Sequence, residues 1–339
     1  MENQPILAMN KFGRKASNVA TINLKGKKAV WRVTCGKEVY YLKKMPVSRA
    51  RSLFVIAAWR YLSTRGIGLP KLITASDNNY FAEIHGDIYI LTESITGPNP
   101  EVTSLKDKIT FVKFLAQFHQ ASQGFIPPFD CEIHSLSGSL TAHYNKKKAE
   151  LLSYEKQAAT KTSSFARLFL QHLPVFLQDI EQAHRLLTLA NYERISKEMD
   201  HRILVHQDFA PGNVIQTNQG LYVMDLDSVA FDLPYRDIRK VLNKLLKKDG
   251  VWPQNAVVAM LKAYHTVHPL NTSDLQILWA DLQFPHLFCG IANKYFKQRE
   301  PGWNQDKYLE RLKLNLRSET AKRQALKGFE NIIGQVLNG

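Results

Sequence analysis

The sequence predicts an α+β fold of two lobes, a small β-rich lobe followed by a larger, mostly helical one. Two patterns and one boundary carry this reading. Residues 28–34 (KAVWRVT) and 38–43 (EVYYLK) are runs of strand-forming residues. From residue 104 onward the chain turns helical, with apolar residues at the spacing of one helix face. Between them, Ser94-Ile95-Thr96-Gly97-Pro98-Asn99-Pro100 is a run of turn formers and helix breakers that suits a hinge. The lobes are therefore drawn at residues 1–97 and 101–339, with the hinge near 93–100.

In chain order, the first two strands form a hairpin around Cys35-Gly36-Lys37. Residues 48–64 predict a helix with Leu53, Ile56, Ala57 and Tyr61 on one face, stopped by RGIGLP at 65–70. Strands near 72–75 and 87–93 complete the small lobe. Ser104-x-x-Asp107 resembles a capping box, which opens a helix with the stripe Ile109, Val112, Leu115, Ala116 and His119. His119 on that stripe reads as a core histidine. Residues 142–200 predict a helical, mostly polar insertion that could face a substrate; its one Pro is Pro174. Lys146-Lys147-Lys148 within it reads as a solvated face. A short β insert occupies 203–224. Helices follow near 236–248, 254–266, 273–282, 286–298, 304–315 and 318–337.

A chain of 339 residues, 45% of them hydrophobic, can build one large or two linked domains. No apolar run approaches the roughly 20 residues of a membrane span. The start, MENQPILAMNKFGRK, has no apolar core followed by a cleavage site, which argues against a secretory signal. Cys35, Cys131 and Cys289 are far apart and form no CxxC pair, so neither a zinc site nor a disulfide framework is expected, and a cytoplasmic setting fits. The net charge of +15 is uneven: residues 1–71 hold fifteen Lys and Arg against Glu2 and Glu38, a net of +13. Such a field attracts nucleotide phosphates or an acidic partner, unless it is simply a solvated basic face. No RNA-binding or helix-turn-helix signature promotes nucleic acid.

The chemistry concentrates in VHQDFAPGNVIQTNQGLYVMDLDS, residues 205–228. His206-x-Asp208-x4-Asn213 follows the apolar run Ile203-Leu204-Val205. It precedes a strand–turn–strand pattern that ends at Asp225. Phosphoryl transfer needs in-line positioning, cations on the phosphates and a group to take the hydroxyl proton. Asp208 is the candidate catalytic base in the loop 206–213. Asn213 and Asp225 offer the hard oxygens that Mg²⁺ prefers. His206 would brace the loop. Lys43, at the end of a small-lobe strand, sits where a kinase places the lysine that contacts the α- and β-phosphates of ATP. Glu93 to Ile95 would be the segment whose backbone meets the adenine. Asp227 could touch metal or stabilise the turn after Asp225, and Asp237 could cap the next helix and brace the motif loop.

These residues resemble the aminoglycoside/choline-type phosphotransferases, a kinase-like superfamily. The shared pattern is His206, Asp208, Asn213 and Asp225, with Asp237 beyond. Within that superfamily the chain looks most like the CotS-type spore coat-associated proteins. AVWRV at 29–33 running into Tyr41-Leu42-Lys43, Tyr61-Leu62 before Gly66-Ile67, AQFHQAS at 116–122, and Phe284-Pro285-His286 leading to Lys294-Tyr295-Phe296 carry that likeness. The resemblance implies a two-lobed protein-kinase-like fold with nucleotide in the cleft. It also implies expression in sporulating cells and association with the spore coat and its proteins. Three departures stand out: no G-x-G-x-x-G precedes the first paired strand, only Lys25-Gly26-Lys27-Lys28; Gln207 stands where most such proteins have Gly; and residues 47–65 contain no Glu or Asp to orient Lys43. The readings that remain are an ATP/Mg²⁺-dependent phosphotransferase acting on an alcohol, a pseudokinase-type scaffold of coat assembly, and a small-molecule kinase of the choline or aminoglycoside type.

Overall fold

Five N-terminal strands pair antiparallel in the order β1-β2-β3-β5-β4 in a computed structural model that describes residues 4–198, 202–247 and 250–338. They are β1 (Asn18–Lys25), β2 (Lys28–Cys35), β3 (Glu38–Lys44), β4 (Ala82–Ile84) and β5 (Asp87–Glu93). The predicted hairpin is present, with Cys35 opposite Glu38 and Gly36 at φ +61°, a conformation that glycine adopts without steric cost. Strand parity decides what the sheet buries. Ala29, Trp31 and Val33 of β2 join Tyr40 and Leu42 of β3 and Tyr89 and Leu91 of β5 on one face. Helix α1 (Gln4–Lys11) adds Ala8 and Met9 to that core. Removing each such large side chain from water is worth roughly 1.5–3 kcal/mol.

Helix α2 (Arg49–Thr64) starts at Ser48, whose hydroxyl accepts the Arg51 N–H at 3.1 Å. It stops before Gly66 at φ +83°. The motif region adds β6 (Ile203–Val205), the hairpin β7 (Val214–Thr217) and β8 (Gly220–Val223), and β9 (Ala230–Asp232), which pairs with β6. These pieces, with Met1–Glu101, Gln117–Ser135 and Ile203–Phe231, make up the first of two compact units.

The second unit comprises Val102–Ala116, Leu136–Arg202 and Asp232–Gly339. It contains most of α3 (Leu105–Ser122), then α4 (Leu140–Ala159), α5 (Ser164–Leu189), α6 (Tyr192–Ile195) and α7 (Tyr235–Leu246). After these come α8 (Gln254–His265), α9 (Thr272–Gln283), α10 (His286–Phe296), α11 (Gln305–Ala325) and α12 (Phe329–Leu337). The Ser104–Asp107 capping box is formed: Asp107 accepts the Ser104 N–H at 2.9 Å and Ser104 accepts the Asp107 N–H at 3.1 Å. Aromatic stacking ties the helices together. Phe165 lies on Tyr295 with centroids 3.8 Å apart, and Tyr144 on Phe284 at 4.1 Å.

Several expectations are corrected. The strand near 72–75 is a single bridge, Leu72 to Thr92. Helix α1 and strands β1, β4 and β9 were not anticipated as elements. The division of the last helices at 315–318 is wrong, because Ser318 is buried inside α11 and donates to the Lys247 carbonyl at 3.3 Å. The true break comes at Gly328, φ +67°. Lys147 and Lys148 are not merely solvated, since they pair with Glu150 and Glu181. Residues 199–200 of the helical stretch 142–200, residue 248 of the stretch 236–248, and the lobe ends 1–3 and 339 lie outside the described residues.

Candidate active site

The parity that buries Tyr40 and Leu42 sends Lys43 to the other face of β3, while Lys44 turns back and pairs with Asp87. Val30 of β2 lies opposite Lys43, so Lys28, two residues earlier, shares its face as a diagonal neighbour. Both lysines meet the end of the motif. Lys43 Nζ is 2.8 Å from Asp225 Oδ1 and 2.5 Å from Asp227 Oδ1. Lys28 Nζ is 2.7 Å from Asp225 Oδ2 and 3.0 Å from Asp227 Oδ2. Burial pushes the Asp225 carboxyl up, but the ammonium groups of Lys43 and Lys28 outweigh it and hold Asp225 well below the usual carboxylate range. Burial likewise works against the charge of Lys28, yet Asp225 and Asp227 raise it on balance.

Two non-glycine residues in the left-handed region shape the loops. Asp225 has φ +63° and opens a 3-10 turn over Leu226–Ser228, which brings Asp227 round to the same two lysines. Gln207 has φ +67° and ties its amide to the Ser228 carbonyl. Left-handed geometry costs a side-chain-bearing residue about 1–2 kcal/mol.

His206 is fully buried and braces this corner. Its Nδ1 accepts the Asp208 N–H at 3.2 Å, so the proton sits on Nε2, which donates to the Met224 carbonyl at 2.9 Å. Asn213 is the last residue of a 3-10 turn, Pro211–Asn213. Its Nδ2 donates to Asp208 Oδ2 at 2.8 Å and to the Asp208 carbonyl at 2.9 Å. The amide oxygen of Asn213 therefore points elsewhere, and it is the one atom of that side chain able to bind a cation. The Met224 N–H donates to the Asn213 carbonyl at 2.8 Å, which holds the residue before Asp225 against Asn213. Asp208 itself is solvent-exposed.

Asp225 and Asn213 carry hard oxygens of the kind Mg²⁺ takes, both Asp225 oxygens are paired with lysine ammonium groups, and among the described residues no group of three or more His, Cys, Asp or Glu is arranged to hold a metal. Two such ligands would leave the remaining positions to phosphate and water, as Mg²⁺ prefers.

Glu93 and Ile95 lie apart from this cluster. Glu93 ends β5; its N–H is taken by the Lys71 carbonyl at 3.0 Å and its carboxylate pairs with Lys71 at 3.4 Å. Ile95 lines a cavity of about 380 Å³ with Gly97, Gln216 and Tyr222. His119 is fully buried beside Phe118, and Asp237 is fully buried in the first turn of α7. Helix α7 has Pro234 at its N-cap and no side-chain cap there.

Sequence reasoning missed Lys28 and Arg51. Parity across the β2–β3 hairpin could have found Lys28. Arg51, on the first turn of α2, is 6% exposed and donates to the carbonyl of Val229, and to that of Asp227 at 3.5 Å. Burial lowers its pKa to about 10.

Among known sequences, the family described as spore coat putative kinase YutH matches residues 25–329. Spore coat protein S of Bacillus subtilis (strain 168) is 29% identical over 293 residues, 86% of this chain and 84% of that protein. Among solved structures, an aminoglycoside phosphotransferase from Alicyclobacillus acidocaldarius superposes with a TM-score of 0.77 at 18% identity, covering 97% of this chain and 96% of that one. Spectinomycin phosphotransferase, solved with ADP and spectinomycin, gives 0.65 at 18% identity over 97% and 98%. The expected two-lobed fold of the aminoglycoside phosphotransferase type, with a five-stranded N-terminal sheet and a mostly helical remainder, is therefore present. Among the described residues no helix is long and apolar enough to cross a membrane.

Proposed function

The chain belongs to the spore coat putative kinase YutH family, and on that premise we propose that it is a spore coat-associated phosphotransferase that moves the γ-phosphoryl group of ATP to an alcohol. One observation carries the proposal: Lys43 from β3 and Asp225 from the motif, 182 residues apart, meet at 2.8 Å in the middle of a neutral cluster. Lys43 contacts phosphate oxygens. Asp208, its carboxylate held by the Asn213 amide, takes the proton of the acceptor hydroxyl. Asn213 and Asp225 hold Mg²⁺, which neutralises charge on the transferring phosphates when bound. Ile95 and Glu93 mark the hinge from which backbone groups reach the adenine. The acceptor comes from the developing coat, and the basic N-terminal region favours one with acidic character.

Calorimetry with ATP and Mg²⁺, paired with a turnover assay, tests this. Asp208→Ala is expected to keep metal-dependent nucleotide binding and to lose transfer by a factor of about 10²–10⁴, the usual worth of a positioned base. Asp225→Ala is expected to lose the metal-dependent part of binding. Turnover unchanged in Asp208→Ala would refute the assignment.

A second reading, a non-catalytic scaffold of coat assembly, draws on the acid-free helix α2 and on the two lysines that engage both oxygens of Asp225. It predicts coat association that survives Asp208→Ala together with no turnover by the wild type.

A further inference from the structure

We propose that Asp227 is the positioning residue for Lys43, in place of the helix glutamate that a kinase uses, and that α2 is coupled to it through Arg51. This rests on the phosphotransferase reading only in taking Lys43 as the phosphate contact. In a kinase the helix acid pairs directly with the lysine, so that helix and phosphate contact move together. Helix α2 has no acid to offer; it presents Arg51, a cation that cannot pair with Lys43. What Arg51 does instead is bind the backbone carbonyls of Asp227 and Val229 from a buried position. The link then runs from α2 through Arg51 to the 3-10 turn, and from that turn through the Asp227 carboxylate to Lys43 at 2.5 Å.

The two aspartates that touch Lys43 are not equivalent. The Asp225 side chain is 35% exposed, so it is the more solvent-accessible of the two. The Asp227 side chain is 12% exposed, as is that of Lys43, so this pair forms the enclosed half of the cluster. When Asp225 serves a cation, Asp227 still holds Lys43. The cluster of two lysines and two aspartates is electrically balanced without an acid from α2.

A double-mutant cycle on the intact protein tests the assignment, with calorimetry of a non-hydrolysable ATP analogue at saturating Mg²⁺. Asp227→Asn is expected to weaken binding on the order of tenfold, the effect of losing one charge-assisted contact. Asp227→Glu should recover part of the loss. The double variant with Lys43→Met should bind no more weakly than Lys43→Met alone, because Asp227 acts through Lys43. Additive losses would overturn the proposal and make Asp227 an independent contact, such as a metal ligand. A second measurement needs no nucleotide: the rate at which an amine-acylating reagent modifies Lys43, read by mass spectrometry. Asp227→Asn and Arg51→Met should both speed the labelling of Lys43 several-fold and leave the exposed Lys113 unchanged. Unchanged Lys43 labelling would also overturn it. A wild type with no nucleotide affinity would remove the phosphotransferase reading, and the labelling result would then decide the Asp227–Lys43 pairing by itself.

Discussion

His206 shows how one buried side chain can fix the loop that carries Asp208. It accepts from the Asp208 backbone and donates to the Met224 carbonyl, so it joins Asp208 to the residue before Asp225. A leucine of similar bulk would remove two part-buried hydrogen bonds to the backbone, worth about 0.5–1.5 kcal/mol each. His206→Leu is therefore expected to lower the urea midpoint by an amount equivalent to about 1–3 kcal/mol and to reduce turnover, while His206→Gln, which can donate, loses less. Equal stability of His206→Leu and wild type would remove the bracing role. His206, Asp208, Asn213 and Asp225 were legible because they lie within twenty residues, where spacing and local strand pattern constrain one another. The pairing of Lys28 with Asp225 spans 197 positions and depends on how a sheet meets a loop, which local pattern does not encode. For the same reason Asp227 was visible as an acid, but its tie to Lys43 was not.

Among the elements, the β7–β8 hairpin depends on two glycines outside it. The Gly68 carbonyl accepts the Val223 N–H at 2.8 Å, and the Pro98 carbonyl accepts the Gln216 N–H at 2.9 Å. A Cβ on Gly68 would overlap the Leu221 carbonyl oxygen, and one on Gly97 would overlap that of Gln216. Neither obstacle is the flexible end of a side chain, so the backbones must part. Gly68→Ala and Gly97→Ala are each expected to cost about 3 kcal/mol in urea unfolding. Gly302→Ala, with nothing near its Cβ, should stay within about 0.5 kcal/mol. Both glycines stood out in the sequence as breakers, at the end of α2 and at the hinge, but the close approach that requires them is tertiary. Edge strand β1 escaped notice for a related reason. Its Ile22 and Leu24 are 56% and 68% exposed, so its apolar residues do not mark a buried face. The α11 boundary was misplaced because the sequence near 316 has no breaker; only Gly328 does.

Across the molecule, part of the N-terminal excess of positive charge is answered by acids from later in the chain. Lys28 and Lys43 use Asp225 and Asp227, Lys44 uses Asp87, Arg49 uses Glu83 and Lys71 uses Glu93. Stability should then fall as acids are protonated, but the helical unit is poised to respond earlier. Asp281 is fully buried and accepts from Tyr144 at 2.9 Å, from Arg239 at 2.9 Å and from His286 at 2.8 Å. Burial first, and then Arg239, holds His286 neutral with a pKa of about 3; Lys322 adds to this, and the pull of Asp281 only partly offsets it. His143, against the same cluster, is lowered to about 4 by burial, with Lys147, Arg236 and Arg239 adding to the shift. His184 is lowered too, chiefly by burial. An unfolded histidine takes up its proton near pH 6.5, and these do so only further down. The unfolded state therefore binds more protons between those values, so the stabilisation is complete above about pH 6.5 and is lost as pH falls toward 4 and 3. By pH 5 the loss from His286 alone is about 2 kcal/mol, with a smaller share from the part-exposed His143. Urea unfolding at pH 7, 6 and 5, followed by helical signal, should show the midpoint falling across this range, before carboxylates titrate. His286→Gln keeps a donor to Asp281 and cannot titrate, so it should flatten the dependence. A slope that is the same in His286→Gln and wild type would assign the acid sensitivity to other groups.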